Sequence, residues 1–296
     1  MNEFIYKTMP DESCRALFHE KVKENETLDF FEIGKSILGR SIMSYKIGHG
    51  KKHILYVGAH HGSEYITASV LMNFILFMMD KATRPRRFSN INTEFLLQKF
   101  TFWIVPCLNP DGVELAIGGL ANSPLYDRLL RMNGSFDFTH WQANARGVDL
   151  NHNYDFGFLE YKCLEAREKI TEGRTRYSGN YPESEPETSA LASFVRALMP
   201  SLVISLHSQG REIYFSPHDD KTKALAERVG KRLSYSVEYP EGLSAYGGLC
   251  DYTGSSLLIP SLTIEVGKGE NPLPYSSLPT LSNRLCPILY LAPTLL

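Results

Sequence analysis

Two adjacent histidines, His60 and His61, close an apolar run, and a glutamate follows three residues after the second in YVGAHHGSEYITAS, residues 56–69. His61-Gly62-Ser63-Glu64 is an H-x-x-E placed where a strand ends and a helix begins, so one imidazole and one carboxylate can converge on a cation. A second apolar run, SLVISLH, also ends in a histidine, His207. Two neighbouring strand ends would then supply two imidazoles and a carboxylate, and leave a fourth zinc position open for water. That is a catalytic arrangement, since a structural site is closed by four ligands, usually cysteines. A third run, PSLTIEVGKG, carries Glu265 among apolar neighbours. Burying a carboxylate there is costly without partners. It faces either a polar cavity, where it would serve a hydrolase as general base beside an activated water, or a buried ion pair with Lys268 or Arg211.

Short buried strands must position these groups. HILYVGA (53–59), FTFWIVPC (100–107), SLVISLH (201–207), EIYFS (212–216) and SLTIEVG (261–267) are the β-branched and aromatic runs expected of central strands. Residues 28–50 read as a hairpin around Leu38-Gly39-Arg40. Roughly residues 64–80 are apolar almost all round, which predicts a helix packed on both sides. SEPETSALASFVRALM opens with a capping-box pattern, Ser184 with Glu187, and Pro186 lies in its first turn. DDKTKALAERVGKRL (219–233) reads as an amphipathic surface helix. Strands alternating with helices predict an α/β sheet, largely parallel and covered on both faces, with its site beyond the carboxyl ends of the strands.

Composition excludes other classes. The 296 residues are 43% hydrophobic and 22% charged, with a formal charge of -2 and no basic block, so no nucleic-acid partner is expected. Cys14, Cys107, Cys163, Cys250 and Cys286 are scattered and odd in number, as in a protein with reduced thiols. The N-terminus lacks the basic start and apolar run of an export signal, which predicts a cytoplasmic protein. VLMNFILFMM (70–79) is about half the roughly 20 residues that span a bilayer, so it reads as a core helix and no membrane partner is expected. No repeat or linker divides the chain, and residues 1–296 are read as a single catalytic domain.

GAHHGSEYITAS, PCLNPDGVELA, ARGVDLNHNYDF, SEPETSALASF, SLHSQG and TIEVGKGENP occur in an order that resembles the zinc metallocarboxypeptidase family, from about residue 28 to 275. The resemblance implies a single α/β/α domain around a mixed, twisted, roughly eight-stranded sheet, with one Zn2+ held by His61, Glu64 and His207. Alternation along the strand sends His60 and His61 to opposite sides, and the family register on Gly58 and Glu64 selects His61. Glu265 matches the family's general base. Asp149 matches the carboxylate that accepts the other ring N–H of the first zinc histidine and fixes its tautomer. The NPDG stretch, Asn109 to Gly112, is expected to be a turn that positions the site.

Departures from the family pattern bear on the substrate. Carboxypeptidases hold the free C-terminal carboxylate with arginines. Here Ser63 and His152, in the pair Asn151-His152, stand where arginines are usual. The cationic oxyanion stabiliser aligns with Gln142, and Arg146 is the candidate to replace it. Register on Gly247-Gly248 puts Leu243 at the position of the tyrosine that closes over substrate, leaving Tyr246 as candidate.

These features, with WQANARGVDLN and LHSQGREIY, most resemble the bacterial γ-D-glutamyl-meso-diaminopimelate peptidases, whose partner is a small, charged muropeptide. Asn151, His152, Ser208, Gln209 and Arg211 are the polar candidates to bind it. The alternatives are a metallocarboxypeptidase with an unusual carboxylate clamp, a non-catalytic muropeptide-binding protein, or a deacylase on the same scaffold.

Overall fold

Ile54, Leu55, Tyr56 and Val57 have no exposed surface, and neither do Leu202, Ile204 and Leu206. Successive strand residues point to opposite faces, so runs buried at every position require cover on both sides. The computed structural model, which describes residues 9–83, 87–118, 120–216 and 220–296, supplies that cover. Its main sheet contains β1 (Leu28–Lys35), β2 (Ser41–Ile47), β3 (Lys52–Val57), β4 (Phe100–Val105), β5 (Leu202–His207), β6 (Glu212–Phe215), β7 (Ser236–Glu238) and β8 (Ser261–Glu265). Their spatial order is β1-β2-β4-β3-β5-β8-β6-β7.

Three of the seven strand pairs are antiparallel: β1 with β2, β2 with β4, and β8 with β6. The parallel sheet expected from alternating elements therefore holds for the central pairs β4-β3-β5-β8 and for β6 with β7. Of the antiparallel pairs, β1 and β2 are a hairpin, whereas β2 with β4 and β8 with β6 join segments far apart in sequence. β7 was not read from sequence, and its three residues lie at the sheet edge.

The helices named below are α1 (Glu12–Val22), α2 (Ile66–Thr83), α3 (Pro110–Gly118), α4 (Phe158–Glu168), α5 (Pro186–Leu198), α6 (Asp220–Leu233) and α7 (Leu278–Leu291). Ile54, Tyr56, Phe102 and Ile204 face a core with α1, α2, α6 and α7. Leu55, Val57, Val105 and Val203 face a second core with Leu191, Ala192 and Val195 of α5. Residues 66–78 of α2 are buried all round, as its pattern predicts. By length and composition this helix could cross a membrane, yet 94% of its most apolar window is buried within the protein.

The capping box expected at Ser184 does not form. α5 begins at Pro186 after Glu185, without a side-chain cap. Tertiary partners take the two groups instead. Ser184 Oγ donates to Glu185, and Glu187 accepts from the backbone N–H of Ile37, at 3.1 Å, and from the Asn144 amide, at 3.2 Å.

His207 and Glu265 are the last residues of β5 and β8 and are partners in register. His61 lies just beyond β3, so the candidate groups meet at the carboxyl edge of the sheet.

Candidate metal centre and active site

Beyond β3 the chain turns through Ala59, whose φ of 48° is uncommon for a residue with a Cβ. His61 then precedes a single 3-10 turn, Gly62–Glu64, and α2 follows from Ile66. The turn is clamped from outside: Gly62 N–H donates to Gln142 O at 2.9 Å and Ser63 N–H to Trp141 O at 2.8 Å. Glycine is required at 62, since a Cβ there would lie 2.2 Å from the carbonyl oxygen of Gly112. Asn109, expected in a positioning turn, instead precedes α3. Its amide donates to the carbonyls of His60, Gln142 and Ala143 at 3.0, 3.2 and 3.1 Å, tying the strand end to the WQAN segment.

This geometry brings Glu64 back under both histidines. His61 Nδ1 lies 3.0 Å from Glu64 Oε1, and His207 Nδ1 lies 3.1 Å from Glu64 Oε2. One donor atom from each of the three falls within 4.8 Å of the others. His61 Nδ1 and Glu64 Oε2 are buried without a hydrogen-bond partner, which suits atoms whose lone pairs converge on a metal ion. The donor set fits zinc. Asp149 Oδ1 accepts from His61 Nε2 at 3.1 Å, while its other oxygen accepts the Arg176 backbone N–H at 2.9 Å. The imidazole is thereby turned with Nδ1 toward the centre.

His60 is fully buried on the packing side, with Nε2 3.1 Å from the Tyr154 hydroxyl and its ring stacked 5.4 Å from that of His207. Burial and the neighbouring histidines push its pKa far down, so it stays neutral. Burial opposes charge on His61 as well, but Glu64 and Asp149 more than offset it and raise that pKa. The two histidines in turn hold the carboxyl of Glu64 well below its usual range.

Glu265 accepts the backbone N–H of Gln209 at 2.6 Å. Among the described residues no lysine or arginine pairs with it; Lys268 and Arg211 are exposed, so the ion-pair reading fails. Burial, then the charge on Glu64, raises its pKa to about 8. Beside it opens a cavity of about 160 Å³, whose lining includes Asn151, Tyr214, Cys250, Asp251 and Thr263. Asp251 is 8% exposed, and burial lifts its pKa to about 7 against one backbone hydrogen bond from Gly248.

The other sequence candidates divide. Gln142 Oε1 accepts from the Thr175 hydroxyl, which leaves the NH2 end free to donate. The guanidinium of the half-exposed Arg146 pairs with Glu185 through Nε at 3.4 Å. Asn151 lines the cavity while its Oδ1 accepts from Leu249 N–H at 3.2 Å. His152 is no charged arm: Nδ1 lies 3.0 Å from Tyr246 O, the ring stacks on Tyr161 of α4 at 4.3 Å, and burial lowers its pKa.

Ser208 is buried and donates to Asn271. Gln209 reaches Glu265 through its backbone, and exposed Arg211 donates only its N–H, to Glu265 O at 3.1 Å. The Tyr246 ring packs against Gly157, away from the cavity wall; Tyr214 lines that wall, with its hydroxyl donating to Glu212 at 2.7 Å. Sequence reasoning missed Asn271, Asp251 and Tyr214. Tyr214 lies on a run read as a strand, but only the sheet order shows that this strand pairs with that of Glu265.

A family described as zinc carboxypeptidase matches residues 17–276. Gamma-D-glutamyl-L-diamino acid endopeptidase 1 of Lysinibacillus sphaericus is 32% identical over 254 residues, 84% of this chain and 63% of that protein. Murein peptide amidase A of Escherichia coli strain K12 is 29% identical over 152 residues, 50% of this chain and 52% of its own length. The chain thus spans somewhat less than two thirds of the first relative. The fold matches bovine thrombin-activatable fibrinolysis inhibitor, solved with tick carboxypeptidase inhibitor, at a TM-score of 0.72 and 20% identity over 98% of each chain.

Proposed function

The chain belongs to the zinc carboxypeptidase family, and from that premise we propose that it hydrolyses the amide joining the γ-carboxyl of D-glutamate to meso-diaminopimelate in cell-wall peptides. The cavity beside Glu265 carries this reading. Among the described residues no arginine or lysine lines it, and burial lowers the His152 pKa, so this wall differs from the arginine clamp of a carboxypeptidase. Asp251, buried and without a cation, suits an ammonium group instead, and a diamino acid brings a second one. Two of the curated relatives are named a gamma-D-glutamyl-L-diamino acid endopeptidase and a murein peptide amidase, which supports the same substrate class. None of the five cysteines is disulfide-bonded, which accords with a reducing, cytoplasmic location.

Zinc bound by His61, Glu64 and His207 would supply Lewis acidity that polarises the scissile carbonyl and acidifies a water. The chain's own residues do the rest. Glu265, fixed through the Gln209 N–H, takes the attacking water's proton at its carboxylate and passes it to the leaving nitrogen. The Gln142 amide, with its oxygen occupied by Thr175, offers N–H to the oxyanion that develops. Asp149 holds the His61 ring in place throughout.

The test is incubation of zinc-loaded protein with L-Ala-γ-D-Glu-meso-diaminopimelate, followed by mass spectrometry of the fragments. Release of free diaminopimelate is expected. An intact tripeptide, with single residues removed from the C-termini of plain L-peptides, would transfer the protein to the carboxypeptidase reading. Binding without cleavage would make it a sensor.

A further inference from the structure

We infer that Asn271 is a positioning residue for the metal ligand Glu64, and that Ser208 acts on the metal centre through it. The inference rests on the zinc site alone and holds whichever amide is cleaved. Asn271 Nδ2 donates to Glu64 Oε1 at 3.1 Å, and Ser208 Oγ donates to Asn271 Oδ1 at 2.7 Å. Orientation follows from these two bonds. With its oxygen occupied by a hydroxyl donor, the amide can present only its N–H end to the carboxylate.

The site is dry: Glu64, Ser208 and Asn271 are 4%, 0% and 7% exposed. Little water is therefore at hand to replace a lost bond, and an unmade one there is expensive. A carboxylate that must meet His61 Nδ1 with one oxygen and His207 Nδ1 with the other has a single useful rotation. Asn271 bonds to the oxygen on the His61 side, which holds that rotation before any metal arrives.

The placement of Asn271 gives this contact wider reach. It lies six residues after Glu265, in a loop that returns over the centre and seats Leu273 against Gly267, where a Cβ would come within 2.2 Å of the Leu273 side chain. Its backbone oxygen is 2.6 Å from His140 Nδ1, two residues before Gln142. Ser208 directly follows His207. One buried amide thus joins the segments that carry a metal histidine, the metal carboxylate, the oxyanion donor and the base.

The experiment measures zinc affinity of metal-stripped protein by competition with a chromogenic chelator, for wild type, Asn271→Leu, Ser208→Ala and the double variant. Leucine keeps the volume and removes both bonds. Asn271→Leu should weaken zinc binding by roughly 10- to 100-fold, the usual effect of losing a partner of a metal ligand. Ser208→Ala should act in the same direction and less strongly, and should add nothing once Asn271 is leucine. A residue that merely anchors the loop would lower the melting temperature of the zinc-free protein and leave zinc affinity within about twofold of wild type, which overturns the inference. Additive effects overturn the chain from Ser208 through Asn271. If Asn271→Leu does not fold, Ser208→Ala decides alone: weakened zinc binding supports the inference, and unchanged binding removes it.

Discussion

Glu265→Gln separates the proposed chemistry from the fold, because two effects of one substitution run in opposite directions. Glutamine keeps the volume and still accepts the Gln209 N–H that meets Glu265 at 2.6 Å, so the variant should fold and bind zinc at His61, Glu64 and His207. It cannot take a proton from water. Loss of a general base lowers turnover by roughly 10²- to 10⁴-fold.

Stability should move the other way. Burial and the charge on Glu64 raise the Glu265 carboxyl from its ordinary 4.5 to about 8. Between those values the folded zinc-free protein holds a proton that the unfolded chain has released. Folding then binds protons, and stability falls as pH rises through this window. Glutamine removes the fall. The displacement corresponds to at most about 5 kcal/mol above pH 8, reduced by whatever solvent enters the cleft. The assays are hydrolysis of the muropeptide by zinc-loaded protein, and urea unfolding of zinc-free wild type and variant at about pH 5 and about pH 8.5. The variant should be nearly inactive and should gain stability over wild type at the higher pH. Retention of more than a tenth of the activity, or a stability difference that does not change with pH, would refute the assignment of Glu265 as a buried base.

Further outcomes follow from the same geometry. His61→Ala should lose most bound zinc, whereas His60→Ala should keep zinc near wild type and lose stability of about 2–4 kcal/mol as its buried site empties, checked by metal analysis and unfolding. Gln142→Ala should lower kcat by about 10²-fold, as removal of an oxyanion donor does, while Arg146→Ala should stay within about threefold, since Glu185 already holds that guanidinium. Asp251→Asn should reduce kcat/KM for the diaminopimelate tripeptide by about 10- to 100-fold, the range for a lost charged hydrogen bond, and leave a norleucine analogue unchanged. Equal losses on both peptides would make Asp251 a structural acid.

The zinc ligands were legible because each ends, or closely follows, a run that can only be a buried strand, and such strand ends gather at one edge of the sheet. Glu265 was legible for the same reason, as the charge that closes an otherwise apolar run. Asp149 required the resemblance, since an aspartate in GVDLN has the look of a turn residue. What escaped were orientations. Nothing local tells that Arg146 turns to Glu185, that His152 is pinned between a carbonyl and Tyr161, or that Glu187 abandons a helix cap for Ile37 and Asn144. Each outcome involves a partner distant in sequence: Glu185 for Arg146, Tyr246 for His152, and Ile37 and Asn144 for Glu187. Asn271 and Asp251 escaped because residue type and neighbours alone do not distinguish a loop amide or a helix acid that faces a site from one that does not.

The charge balance of the centre links these points. Glu64, Asp149 and Glu265 converge with two inward histidines, and among the described residues no lysine or arginine pairs with any of the three acids. Without metal, the mismatch is met by protons: His61 is driven toward its charged form by Glu64 and Asp149, and Glu265 toward its neutral form by burial and Glu64. His61 and Glu64 would hold a dication in place of that proton, and its charge would offset that of Glu64, under which Glu265 would ionise and serve as base. Zinc binding must therefore release protons, and affinity should weaken as pH falls. Zinc titrations in two buffers of different ionisation enthalpy would read the protons released; a heat independent of buffer would mean that His61 is already neutral and that the acids are balanced in some other way.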